Sequence, residues 1–148
     1  MAKKTTVSLE DLQYIQIREL GFSYVTPENF FFPGECEGGI RLSIDIVKAF
    51  SREEEVFRLI FTIHLSTVDS SGEEIKARYV TEHAFTIKGF ETFLKEEKGG
   101  ISVYADLDDI VTIAAYGTIR GLFYHRFMHT CFAGFVLPFS LSVTKEDS

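Results

Sequence analysis

Val56-Phe57-Arg58-Leu59-Ile60-Phe61-Thr62-Ile63-His64-Leu65-Ser66 leads through Asp69-Ser70-Ser71-Gly72 into a return stretch from about Ile75 to Ile87. In the outgoing run Phe57, Leu59, Phe61, Ile63 and Leu65 recur at every second residue, opposed by Arg58, Thr62, His64 and Ser66. That is the period of a half-buried strand. On the return, Ala77, Tyr79, Thr81, Phe85 and Ile87 share a face, with Arg78, Glu82 and Thr86 opposite. Gly72 supplies the residue that tolerates positive φ in a tight turn. The stretch therefore predicts a long β-hairpin with one apolar face.

Two further strands precede it. Ile40, Leu42, Ile44 and Ile46 alternate with Arg41, Ser43 and Asp45, and the polar Ser51–Glu55 stretch turns the chain. From Leu12 to Val25 the alternation changes phase. Ile15 and Ile17 form one set, Leu20, Phe22 and Tyr24 the other, which predicts a bulge near Glu19–Gly21. Between these strands lies Pro27-Glu28-Asn29-Phe30-Phe31-Phe32-Pro33-Gly34-Glu35-Cys36-Glu37-Gly38-Gly39. Its prolines and glycines exclude a regular element, so it reads as a crossing loop carrying three consecutive Phe. Four strands in sequence imply an antiparallel meander covered on one face.

The covering element follows. Phe90–Glu97 reads as a short amphipathic turn ended by Gly99-Gly100. A long helix is expected from Asp106, where Asp106 and Asp109 provide a cap and an early acidic residue, to about Thr130. Ile110, Ile113, Ala114, Gly117 and Gly121 fall on one stripe; Tyr116, Ile119, Phe123 and Phe127 on another. A helix apolar on two sides is deeply buried, or shared between a sheet and a partner subunit. Gly117 and Gly121 each cost about 1 kcal/mol of helix propensity, which close approach of another backbone would offset. The run Cys131-Phe132-Ala133-Gly134-Phe135-Val136-Leu137-Pro138-Phe139 is too interrupted for a helix yet strongly apolar. Such a loop is buried, paired with a partner, or used as a binding wall.

The 148 residues fit one α+β domain, with residues 1–11 and 141–148 expected as frayed tails. Fifteen Phe and no Trp exceed what one small core needs, so Phe lines either the core or an interface. A net charge of −7 and a pI of about 5.1 make nucleic acid a poor partner. No signal peptide is expected, because Met1-Ala2-Lys3-Lys4-Thr5 runs into polar sequence, and no membrane span, because Arg120, His125, Arg126 and His129 interrupt the longest apolar stretches. Cys36 and Cys131 suggest no disulfide framework, and the setting reads as reduced and cytoplasmic.

Catalytic chemistry finds little support. His125 and His129 share a helical face at ligand spacing, but Arg126 adds positive charge and no H-E-x-x-H pattern is present. They read as polar residues near a helix C-terminus. His64 and His83 on neighbouring strands, with Glu82 or Asp45, would form an acid–base pair only if they faced each other. Glu35 and Glu37 flank Cys36 and disfavour a thiolate. Glycine pairs at 38–39 and 99–100 belong to no phosphate-binding pattern, and no cofactor or metal is implied.

The order of features resembles SecB, the bacterial protein-export chaperone. The matching parts are the bent strand Ile15–Tyr24, the Phe-bearing crossover Pro27–Gly39, the strand Arg41–Ile46 leading into the hairpin Val56–Ile87, and the long helix followed by Phe132–Phe139. The resemblance covers roughly residues 12–140. It implies a four-stranded antiparallel sheet backed by a helix, assembled as a dimer of dimers through helices. It also implies ATP-independent binding of unfolded chains in apolar grooves. The groove walls would carry over to Phe30, Phe31 and Phe32, and to Phe135, Val136, Leu137 and Phe139; the oligomer interface would be Ile110, Ile113, Ala114, Gly117 and Gly121. Unlike such relatives, the sequence stops at Ser148, without a second helix and polar tail, so contact with a translocation motor is in doubt.

The leading expectation is thus a non-enzymatic holdase for unfolded or partly folded proteins that self-associates to a dimer or tetramer. An adaptor for one dedicated partner, such as an antitoxin, is the second reading. A small-molecule binder or enzyme near His64 and His83 is the third.

Overall fold

A computed structural model describes residues 9–27, 39–69 and 71–138. Strands β1 (Leu12–Val25), β2 (Arg41–Ser51), β3 (Val56–Val68) and β4 (Glu74–Ile87) form one antiparallel sheet in the order β1-β4-β3-β2. The meander expected of all four holds for β2, β3 and β4 alone. β1 pairs with β4, so the connection between Val25 and Arg41 joins opposite edges of the sheet. The hairpin turn is as read from the sequence: Gly72 has φ +85°, and Asp69 accepts the Ser71 and Glu73 amides through Oδ1 at 2.9 Å each.

Register assigns every strand residue to a face. Phe57, Leu59, Phe61, Ile63 and Leu65 of β3 and Ile75, Ala77, Tyr79, Phe85 and Ile87 of β4 point to the covered face and are buried. In β1 the phase change occurs twice. Pairing skips Ile15, between Tyr14↔Phe85 and Gln16↔Ala84, and Leu20, between Glu19↔Thr81 and Gly21↔Val80. The second skip is the expected bulge; the first was hidden because Ile15 and Ile17 look like a regular pair. Between the bulges Ile17 and Glu19 fall on the inner face, and the second bulge restores the phase of Tyr14, so that Phe22 and Tyr24 share its face.

Phe90–Phe93 form a 3-10 turn, but the chain then makes a small hairpin, β5 (Leu94–Glu97) with β6 (Gly100–Val103), in place of the expected amphipathic turn. Gly99 and Gly100, with φ of +102° and +153°, form its reversal. The helix α1 spans Ala105–Arg126. Its N-cap is Tyr104, without a side-chain cap; Asp106 and Asp108 occupy the first turn, where carboxylates meet the positive end of the helix dipole. It stops four residues before Thr130, whose hydroxyl donates to the Phe127 carbonyl at 2.9 Å and whose Oγ1 accepts the Phe132 amide. These bonds commit the segment to turns that bury Phe127 and Phe132. At the other terminus, Leu9–Asp11 form a 3-10 turn rather than part of a frayed tail, and the Asp11 carbonyl accepts the Lys88 amide at 3.0 Å.

The core lies between the sheet and α1. Leu107, Val111, Ala115, Ile119 and Phe123 pack onto β3 and β4. At the far end Phe127 meets Phe22 and Tyr79 edge-on, with centroids 5.2 and 5.9 Å apart, and stacks on Phe123 at 4.2 Å. Aromatic pairs in these geometries add about 0.5–1.5 kcal/mol each beyond burial. Much of the Phe excess is therefore core.

Candidate functional site

The strand ends that flank the crossover and the start of the post-helix run lie at one end of the sheet. The cross-strand row Val25–Lys76–Ser66–Arg41 places both ends of the crossover there, on opposite edges. The Cys131 amide donates to the Tyr24 hydroxyl at 3.0 Å, and the Phe132 ring meets that of Tyr24 at 6.3 Å. The post-helix run thus begins against the last aromatic residue before the crossover. Phe30, Phe31, Phe32, Phe139 and Cys36 lie outside the described residues.

Beyond that tether the run turns back along α1. Arg120 Nε donates to the Leu137 carbonyl at 3.3 Å, and the Tyr116 hydroxyl donates to the Pro138 carbonyl at 2.6 Å. The result divides the expected wall residues. Leu137 is only 1% exposed and belongs to the core; Phe135 is half-buried against Phe123; Val136 is 54% exposed.

The inner face of edge strand β2 adds residues that sequence reasoning did not assign to a site. Leu42, Ile44, Ile46 and Phe50, with Ile40 just before the strand, are only partly buried, although the β3 partners of the four strand residues, Leu65, Ile63, Phe61 and Phe57, are covered. The clean alternation was visible in the sequence; that β2 ends up at an edge, and so stays half-open, was not. Near the Phe50 end the row runs into a cleft of about 200 Å³ lined by Phe57, Leu59, Val103 and Val111. Lys48 Nζ closes on Asp108 Oδ2 at 2.9 Å beside it, joining β2 to the first turn of α1.

The helix also presents a second apolar surface. Ile113 is 70% exposed, Gly117 and Gly121 are exposed, and Ile110 and Ala114 are half-buried, with Tyr124 and Met128 exposed further along. A Cβ added at Gly117 or Gly121 would meet nothing within 4 Å. The glycines therefore do not serve packing against the sheet, which contacts the other stripe.

The histidine readings resolve against a paired acid–base site. His83 points to the inner face and is completely buried, its Nδ1 3.1 Å from the Tyr14 hydroxyl and its Nε2 2.9 Å from Thr81 Oγ1. Burial lowers its pKa to about 4 against a small opposing effect of Glu82. His64 lies on the outer face opposite Arg78, with Asp45 at 3.6 Å. The two histidines are separated by the sheet itself. Glu82, also on the outer face, is held by Arg18 at 2.6 Å and Arg58 at 3.6 Å. Burial, and then the Glu19 carboxylate 2.6 Å from its hydroxyl, push the Tyr79 pKa well up, so this phenol stays a donor. Among the described residues no group of three or more His, Cys, Asp or Glu converges as a metal site, and no helix is long and apolar enough to cross a membrane.

This architecture, a four-stranded antiparallel sheet with a bulged edge strand and one long helix, is the SecB-like fold. The chain is similar in structure to the SecB-like chaperone Rv1957 of Mycobacterium tuberculosis, solved in complex with a ChAD peptide from the antitoxin Rv1956 HigA1. The TM-score is 0.57 with 14% sequence identity, over 89% of this chain and 91% of that one. No family model matches the sequence, and no curated protein does.

Proposed function

We propose that this chain binds non-native polypeptide, without catalysis, in an apolar groove on the helix side of the sheet. The crossover residues Phe30, Phe31 and Phe32 and the post-helix residues Phe135, Val136 and Phe139 form its walls, and the open inner row of β2 extends it. The Tyr24–Cys131 hydrogen bond carries the reading, because it brings the post-helix run beside the start of the crossover. Aromatic and branched side chains on loops supply contact area without demanding a particular client sequence. Several weak contacts along one client then reinforce each other. The exposed helix stripe Ile110, Ile113, Ala114, Gly117 and Gly121 joins copies of the chain into a dimer or higher assembly.

A second reading, service to one dedicated partner, is favoured by the antitoxin peptide held by the similar mycobacterial chaperone. Titration of a reduced, slowly folding polypeptide and its native form, with light scattering for mass, tests the first reading. Binding of the unfolded form alone at about micromolar affinity is expected. Indifference to the unfolded form removes the holdase, and saturable binding to a single antitoxin-like segment replaces it with the dedicated partner.

A further inference from the structure

The outer face of the sheet, away from the helix, is charged with the opposite sign to the molecule. Its strand positions carry Arg18, Arg41, Arg58, Lys76 and Arg78 against the carboxylates Asp45, Glu74 and Glu82, on a chain of net charge −7. Glu82 is spent on Arg18 and Arg58. At the end nearest the β3–β4 turn two cross-strand rows lie side by side, Ser23–Arg78–His64–Ser43 and Val25–Lys76–Ser66–Arg41. They line a trough of about 540 Å³. Glu74 reaches Lys76 at 3.4 Å and Asp45 reaches His64 at 3.6 Å. Arg41 and Arg78 have no carboxylate partner among the described residues. Arg78 moreover stands two residues from Lys76 on the same face of β4, so two cations lie side by side in the trough.

We propose that this trough binds an acidic polypeptide segment in extended conformation, its carboxylates meeting Arg41, Lys76 and Arg78. Same-face side chains in an extended peptide repeat at roughly 6.6–6.8 Å, the separation of Lys76 and Arg78 along β4. Guanidinium groups hold carboxylates through paired, charge-assisted bonds. Ser23, Ser43 and Ser66 add short hydroxyl donors between the cations. A continuous phosphate backbone fits less well, because the patch is only two rows deep. The site is on the face opposite the apolar groove and does not depend on it.

The test is fluorescence anisotropy at low ionic strength with a labelled peptide alternating glutamate and threonine, its glutamine analogue, and a single-stranded oligothymidylate of equal charge. The glutamate peptide binds and is released by salt, the glutamine peptide does not bind, and Arg41→Ser with Arg78→Ser weakens binding about tenfold or more. Lys95→Ser, on the β5–β6 hairpin, leaves it unchanged. Both arginines are exposed, and Arg41→Glu with Arg78→Glu should transfer binding to a lysine–threonine peptide. The proposal is overturned if the glutamate peptide is not bound, if the double serine variant binds it equally, or if the oligonucleotide binds more tightly than the peptide.

Discussion

The Tyr116 hydroxyl reaches the Pro138 carbonyl at 2.6 Å across 22 residues of sequence, and one helical turn further on Arg120 holds the Leu137 carbonyl. As the run advances from Leu137 to Pro138 it therefore moves back toward the start of α1. That path puts Leu137 into the core and turns Val136 outward. Burial raises the Tyr116 pKa, so the hydroxyl remains a donor at neutral pH.

Tyr116→Phe removes this donor while keeping the ring, which is 5% exposed. The loss of one hydrogen bond to an accessible carbonyl costs about 1 kcal/mol. Urea unfolding should show the midpoint shifted by that amount with an unchanged slope; a variant as stable as the parent would mean that the bond does not anchor the run.

His83 makes stability depend on pH. Its folded pKa of about 4 is below the ordinary 6.5, chiefly through burial, so the unfolded chain binds one more proton between these values. Stability from this residue is complete above about pH 6.5 and declines as pH falls toward 4, by about 1.4 kcal/mol per pH unit at most. Below the folded pKa both states are protonated and the decline ends. His83→Gln should flatten the unfolding free energy measured across this window; an equal slope in the variant would assign the acid sensitivity to carboxylates.

How much of this was legible in the sequence follows from what each signal depends on. Alternation in β3 and β4 located the hairpin, and the phase change in β1 located the Leu20 bulge, because burial on one face imposes period two. Strand order was not encoded that way. Nothing in Leu12–Val25 states that it pairs with β4 rather than β2, so the half-open inner row of β2 was missed as a site. The β5–β6 hairpin escaped because four-residue strands leave too few repeats to separate from an amphipathic turn. Whether histidines 64 and 83 face each other was open in the sequence until register gave them opposite faces. The Gly117–Gly121 stripe was visible, but only the packing of Ile119 and Phe123 on the sheet shows that it faces outward.

That stripe makes a prediction with two opposed signs. Within one chain, Gly117→Ala meets no obstacle and recovers about 0.5–1 kcal/mol of helix stability. If helices of two copies approach closely at this glycine, the same methyl group weakens association. Unfolding at low concentration should show a more stable protomer, while sedimentation shows a smaller assembly or a weaker dimer. Stabilisation with unaltered association would place the interface elsewhere.

Neighbouring residues of the post-helix run should separate folding from binding. Leu137 is 1% exposed, so Leu137→Ala opens a cavity and costs about 2–5 kcal/mol. Val136 is 54% exposed, so Val136→Asp changes stability by no more than about 0.5 kcal/mol. In the proposed groove, however, the new carboxylate would have to be desolvated against an apolar client segment. Affinity for unfolded polypeptide should fall about tenfold in Val136→Asp with the unfolding midpoint preserved. The reverse pattern is expected for Leu137→Ala at temperatures where it stays folded: a lowered midpoint with near-parental affinity per folded molecule. If Val136→Asp bound clients as the parent does, the outward side of this run would not be a groove wall, and the client surface would have to lie on the crossover and the β2 row.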